Sequence, residues 1–264
     1  MATKNETALI TGASSGIGLE LAKVFAQQKH DLVLVARSKD KLEEVGAQLA
    51  KAHGIQYTVI PADLADLKAV EALVKELSAR KLTVDVLVNN AGYASYGHFA
   101  ETDFDTELKM IQVNVVALTA LTKRLLPGMV ARKHGRIMNV ASTAAFQPGP
   151  LMAVYYATKA FVLSLSEALS EETAGTGVTV TALCPGPTES GFQARAKMEE
   201  SKLVRGKKIM DAATVAQAGY DALQRGTRVI VPGFMNKMLA GSVRLLPRTT
   251  VTSLVRKAQE RAEH

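Results

Sequence analysis

The chain has 264 residues, 47% hydrophobic and 22% charged, with a formal net charge of +7 and a single cysteine. This balance suits one α/β domain with a large core and excludes a disordered protein, and the lone Cys184 excludes a disulfide framework and favours a reducing, cytoplasmic compartment. The histidines show no metal-ligand spacing and no uninterrupted apolar run reaches the length of a membrane span, so neither a metal centre nor a spanning segment is expected.

Thr7 to Thr11 is a short apolar run leading into Gly12-Ala13-Ser14-Ser15-Gly16-Ile17-Gly18. A helix-period stretch follows, with Ile17, Leu21, Val24 and Phe25 on one face. Strand, glycine turn and helix is the arrangement that holds a pyrophosphate: glycines permit the tight turn, and free amides with the helix dipole favour the anion. The glycine spacing differs from G-x-G-x-x-G, so this turn alone would be weak evidence.

The second strand, Asp31 to Ala36, ends at Arg37. An acidic residue at such a strand end would accept hydrogen bonds from an adenosine ribose; Ala36 stands there instead, and the guanidinium of Arg37 suits a 2′-phosphate. That favours NADP over NAD; the plainer reading is a solvated loop arginine. A helix over Lys39 to Ala52 and a strand over Gln56 to Pro61 lead to Asp63 and Leu64. Asp63 can accept from an adenine amino group, cap the next helix, or do both. Leu67 to Leu77 has helical period, and Val84 to Val88 reads as a strand covered on both faces. It runs into Asn89, Asn90, Ala91 and Gly92, where small residues let the backbone approach a ribose and the asparagines can tie strands together.

Phe104 to Arg132 is a long helical pattern with Asn114 amid apolar residues, either bracing the helix or holding a water. The strand Gly135 to Ala141 delivers Ser142 at its carboxyl end, with Thr143 as the rival hydroxyl. In the alanine-rich helix that follows, Tyr155 and Lys159 are four residues apart and share a face. Lowering a phenol from pKa about 10 to about 7 takes about 4 kcal/mol of preferential phenolate stabilisation. An ammonium about 4 Å away in a partly desolvated site supplies about that much. The pair is therefore expected to titrate near neutrality as a proton donor or acceptor, with Tyr156 a tolerant neighbour.

Val178 to Cys184 is another apolar strand, broken at Pro185-Gly186-Pro187-Thr188, which can pack beside a nicotinamide with Thr188 bonding its carboxamide. Glu189 to Lys208 reads as a mobile lid, Thr214 to Leu223 as a helix, and Val229 to Val231 as a last strand.

Together, Thr11 to Gly18, Asn89 to Gly92, Ser142, Tyr155 with Lys159, and Pro185-Gly186 resemble the short-chain dehydrogenase/reductase family over residues 1–233. The resemblance implies a single Rossmann-like, doubly wound α/β domain with a parallel sheet of about seven strands and helices on both faces. It implies Tyr155 as general acid/base, Lys159 lowering its pKa and holding the nicotinamide ribose, Ser142 polarising a carbonyl, and Asn114 supporting a proton-relay water. Gly12, Ser14, Ser15, Gly16, Ile17, Gly18, Arg37, Asp63, Leu64, Asn90, Ala91, Gly92, Tyr155, Lys159, Pro185, Gly186 and Thr188 would hold the NADP. A homo-oligomer, dimer or tetramer, is the family's habit. The alternative is a catalytically silent nucleotide sensor of the same fold.

Residues 234–264 depart from the compact pattern. Phe234 to Leu246 mixes Met, Leu and Val with Lys237 and Arg244, and Val251 to Arg261 reads as a second basic amphipathic helix. The extension is expected to pack on the same domain, with peripheral membrane contact as the alternative. The basic residues lack aromatic stacking platforms, which disfavours nucleic acid. The substrate end is expected from Tyr93 to Phe99 and Ala144 to Val154, mostly apolar with Tyr96, His98 and Gln147 as polar exceptions, suiting a lipophilic small molecule.

Overall fold

The computed structural model describes residues 5–192, 196, 198, 201–202 and 209–260. Its strands are β1 (Thr7–Thr11), β2 (Asp31–Ala36), β3 (Tyr57–Pro61), β4 (Val86–Asn89), β5 (Gly135–Val140), β6 (Val178–Leu183), β7 (Thr188–Glu189), β8 (Met210–Asp211) and β9 (Val229–Ile230). The helices are α1 (Gly16–Gln27), α2 (Lys39–His53), α3 (Leu67–Ala79), α4 (Phe104–Arg132), α5 (Ala153–Glu172), α6 (Ala212–Gln224), α7 (Phe234–Ser242) and α8 (Arg248–Gln259).

Successive strand residues point to opposite faces, which is why the strands read as nearly continuous apolar runs. Ala8 and Ile10 pack with Phe25, Val215 and Leu223 on one face, whereas Leu9 between them packs with Val70, Leu73 and Leu121 on the other. Both faces are thus covered by helices. Seven strands form one sheet in the order β3-β2-β1-β4-β5-β6-β9, every neighbouring pair parallel. The order reverses beside β1, where β4 joins, and the crevice outside the carboxyl ends of the strands opens there.

The element boundaries differ from the sequence expectation by one or two residues at several ends. α2, for instance, runs to His53 and stops at Gly54, whose φ of 68° and N–H bond to Ala50 O (2.8 Å) close the last turn. A larger difference lies inside α4, which contains a π-helical turn over Gln112–Ala117. Such a turn re-aims one side chain without ending the helix, and Asn114 sits in it. By length and composition α4 could cross a membrane, a property the expectation missed; here Leu121 and Met129 cover the sheet.

α7 buries only Ala240, and α8 buries Val251 and Gln259. The expected second basic helix is present as α8; residue 261 lies outside the described residues, as do residues 193–195, 197, 199–200 and 203–208 of the expected lid.

Candidate active site

The carboxyl edge of the sheet forms a cleft of about 700 Å³. At one end β1 enters the glycine turn with Gly12 and Gly16 at φ 68° and 57°, left-handed values that glycine favours, and a Cβ on Gly12 would crowd the Asn90 side chain at 2.8 Å. Ser14, Ser15, Gly16 and Ile17 line the cleft at the start of α1, where backbone amides and the helix dipole favour an anion. Gly18 does not line it. A Cβ there would stand 2.3 Å from Gly12 O, so Gly18 is needed for the close passage of α1 over the turn.

Ala36 and Arg37 line the cleft beside Asp63 and Leu64, and so do Ser38 and Lys41, which the sequence reading missed. Lys41 stands four residues after Arg37, a spacing that could have revealed it. Arg37 and Lys41 are exposed and have no ion-pair partner among the described residues, and the Ser38 side chain makes no capping bond to α2. Two unspent cations and a hydroxyl at one end of a cleft fit a phosphate. Asp63 Oδ1 accepts from Ala65 N (3.0 Å), forming a turn before α3, while Asp66 caps that helix.

Asn90 and Ala91 donate their backbone N–H groups to Thr11 Oγ1, both at 3.0 Å, and Asn90 Nδ2 reaches Thr11 O at 2.9 Å, which ties β4 to β1. Behind them, buried Asn89 donates to Thr122 Oγ1 (3.0 Å) and Asn139 Oδ1 (2.9 Å), and Asn139 donates to Ser166 Oγ (2.9 Å). The expected cross-strand role of the asparagines is thus a polar chain through β4, β5 and α5. Asn114 is buried behind the cleft wall. Its Nδ2 donates to Tyr93 O (3.0 Å) and Thr158 Oγ1 (3.1 Å), and its Oδ1 accepts from Tyr93 N (3.1 Å). These bonds brace the strand end.

Ser142, Tyr155 and Lys159 converge on the cleft. Ser142 Oγ accepts from Ala144 N (3.1 Å) and donates to Pro185 O (3.4 Å), and it stands near enough to Tyr155 to act on its phenol. Lys159 Nζ donates to Val140 O at 2.7 Å and stands 5.8 Å from the centre of the Tyr155 ring. The electrostatics differ from expectation. Burial pushes the Tyr155 phenol up rather than down; the polar Ser142 hydroxyl nearby opposes this and Tyr156 adds to it. The same burial holds Lys159 down at about 8. Desolvation outweighs the attraction expected of the pair, because the ammonium points at a backbone carbonyl. Cys184, free and buried, is pushed up to about 12 by burial.

Pro185, Gly186, Pro187 and Thr188 line the far wall, where Thr188 Oγ1 donates to Gly186 O (2.9 Å). A Cβ on Gly186 would meet the Asn236 side chain at 2.6 Å, so α7 lies directly on this turn.

The substrate end is where the sequence reading is corrected most. Tyr93, Ala144 and Met152 do line the cleft, but Tyr96, His98 and Gln147 do not. Gln147 faces a separate groove, and the Tyr96 hydroxyl donates to Gln259 O at 2.5 Å. The polar side chain at this end is Gln259, from the last turn of α8, only 1% exposed. Its Nε2 donates to the Tyr156 hydroxyl (2.6 Å) and to Met152 Sδ (3.4 Å), while its Oε1 has no partner among the described residues. Tyr156 is thus an anchor for α8, not a bystander, and burial pushes its phenol up to about 12. No local pattern links residues so far apart in sequence.

A family model described as short chain dehydrogenase matches residues 6–201. A very-long-chain 3-oxoacyl-CoA reductase from Anas platyrhynchos is 32% identical over 259 residues, covering 96% of this chain and 80% of that protein. Among solved structures, a short-chain dehydrogenase from Sphingobium yanoikuyae in complex with NADPH is 33% identical, with a TM-score of 0.81 over 97% of this chain and 98% of that one. A bulky-bulky ketone specific alcohol dehydrogenase from Comamonas testosteroni is 30% identical, with a TM-score of 0.79 over 98% of each chain. Coverage this wide takes in most residues after Gly233.

Proposed function

The chain belongs to the short-chain dehydrogenase family, and on that premise we propose an NADP(H)-dependent oxidoreductase that interconverts a carbonyl and an alcohol on a lipophilic substrate. Tyr155 carries this reading: it lies at the wall of the cleft, where Ser142 also stands, with Lys159 one helical turn behind.

When bound, the dinucleotide supplies or takes a hydride at its nicotinamide ring. Ser142 polarises the substrate carbonyl by donating a hydrogen bond to that oxygen while keeping its proton. Burial keeps the Tyr155 phenol protonated at neutral pH, so it serves as the acid that hands a proton to the developing alkoxide. Lys159, held down at about 8, is still mostly charged at neutral pH; it offers its remaining protons to the nicotinamide ribose and favours the phenolate once the proton has left. Asn114 acts by holding the backbone at Tyr93, where the sheet edge meets the cleft.

The glycine turn, Asp63, Leu64, the Asn90–Gly92 segment and the Pro185–Thr188 turn hold the dinucleotide. NADP is favoured over NAD by Arg37 just past β2 and Lys41 in the first turn of α2, with Ala36 where a ribose-binding carboxylate would stand. The apolar substrate end, with Met152, Phe192 and Met198, suits a lipophilic ketone or acyl compound. Phe104, Leu108 and Ile111 on α4 and Phe161 on neighbouring α5 leave an exposed apolar strip that suits a second copy of the chain. Buried, free Cys184 suits a reducing cytoplasmic compartment.

A panel of bulky ketones, 3-oxoacyl thioesters and aldehydes, assayed with NADPH and NADH, tests the proposal. Oxidation of NADPH in preference to NADH on at least one lipophilic carbonyl is expected. Tight NADPH binding without turnover across the panel would instead indicate a silent nucleotide-binding protein.

A further inference from the structure

α7 is built inside out for a surface helix. Asn236 and Ala240 face the protein, Asn236 Nδ2 donating to Pro232 O (2.9 Å), while Phe234, Met235, Met238 and Leu239 are 78%, 67%, 55% and 60% exposed. Their spacing puts all four on one helical face. Leu245, 85% exposed, and Leu246 extend the apolar surface beyond the helix.

Charge singles out the same segment. From Phe234 to Gln259 the sequence contains Lys237, Arg244, Arg248, Arg256 and Lys257 and no aspartate or glutamate. Lys237, Arg244 and Arg248 are exposed, and none has an ion-pair partner among the described residues. We propose that the α7 face, Phe234 to Leu246, docks on an anionic phospholipid surface, its apolar side chains entering the headgroup boundary and its cations meeting the lipid phosphates. An apolar stripe flanked by cations is the chemistry that such a surface binds.

A second copy of the chain fits this face poorly. A two-fold interface sets each patch against itself, and this patch would oppose cations to cations with no carboxylate between them. A nucleic acid would engage the cations but leave the large apolar side chains in water. The segment that follows α7 borders an apolar groove against α5, lined by Phe146, Val243, Leu246 and Val251 together with the exposed Arg244 and Arg248. Tyr156 lines both this groove and the active-site cleft. Docking would therefore bring the substrate end of the enzyme toward a reservoir of lipophilic compounds. The proposal stands on surface residues and does not depend on turnover.

The test is co-sedimentation of the full chain with vesicles of phosphatidylcholine alone and of phosphatidylcholine mixed with phosphatidylglycerol. Binding to the mixed vesicles only, reversed by salt, is expected. M235S/M238S/L239S and, separately, K237E/R244E/R248E should each lower the bound fraction about tenfold or more. Both variants should keep the wild-type melting temperature and NADPH affinity. The charge variant alters only exposed side chains, so it decides the matter should the serine variant fold badly. Failure to sediment with mixed vesicles overturns the proposal. So does a wild-type dimer that M235S/M238S/L239S converts to monomer without any vesicle binding, since the face would then join two copies of the chain.

Discussion

The two ends of the cleft are built by different means. The cofactor end consists of strand ends and turns, where backbone amides, glycines and short polar side chains stand close in sequence to the strand that delivers them. The substrate end is assembled from long side chains of remote elements, above all Gln259 of α8 bonded to Tyr156 of α5. Where position comes from the sheet, a few residues suffice and their order along the chain is fixed by topology. Where it comes from side-chain packing, the partners can lie anywhere in the chain, and specificity can drift without disturbing the fold.

Substitutions can break this contrast. The largest effect is expected at the junction of the two ends: Tyr155→Phe should lower kcat by about 10³-fold or more while leaving the Kd for NADPH within about twofold, as measured by fluorescence titration. A matching loss of NADPH affinity would mean that Tyr155 serves the cofactor end alone. Next, at the cofactor end, Arg37→Asp should shift the NADPH over NADH preference in kcat/KM by about 100-fold, and Lys41→Ala by about tenfold, since each removes a charged contact. An unchanged ratio in both would remove the phosphate assignment.

Smaller effects belong to the substrate end. Gln259→Ala should change KM for bulky ketones about three- to tenfold with NADPH affinity intact, and Tyr156→Phe should act in the same direction, because either frees the last turn of α8. Differential scanning should show each melting about 2–4 °C lower. Wild-type KM values in both would separate α8 from specificity.

The smallest effect concerns stability. The folded chain releases the Lys159 proton near pH 8, whereas an unfolded lysine keeps its proton to about 10.5. From about pH 8 to about 9, before the Cys184 thiol of the unfolded chain begins to lose its proton, the unfolded state binds more protons at Lys159, so stability rises with pH. The slope from this group is at most about 1.4 kcal/mol per pH unit. Lys159→Met should flatten the denaturation midpoint over that range, and an undiminished slope would show that the ammonium is not the buried group responsible.

Much of the fold was legible before any coordinates. Leu9, Ile10, Val33 and Val35 announce strands covered on both faces, and Gly12 and Gly16 announce a turn in the left-handed region that glycine favours. These are local properties, set by backbone sterics and by the period of the apolar residues, and they survive in any sequence that keeps them. The direction of the Tyr155 pKa was not legible in the same way. A spacing of four residues correctly puts Tyr155 and Lys159 on one helix, but whether the ammonium meets the phenol or the Val140 carbonyl depends on where β5 passes. The π turn that seats Asn114 and the anchoring of α8 by Tyr156 were equally hidden.

The amino-acid order therefore determined the strands, the cofactor turn and the chemical character of the reacting groups, because each follows from residues close together in the chain. Tertiary packing decided how buried those groups are, which partner each hydrogen bond finds, and what closes the substrate end. Desolvation and long-range hydrogen bonding depend on everything that surrounds a group, and no segment of the chain carries that information alone.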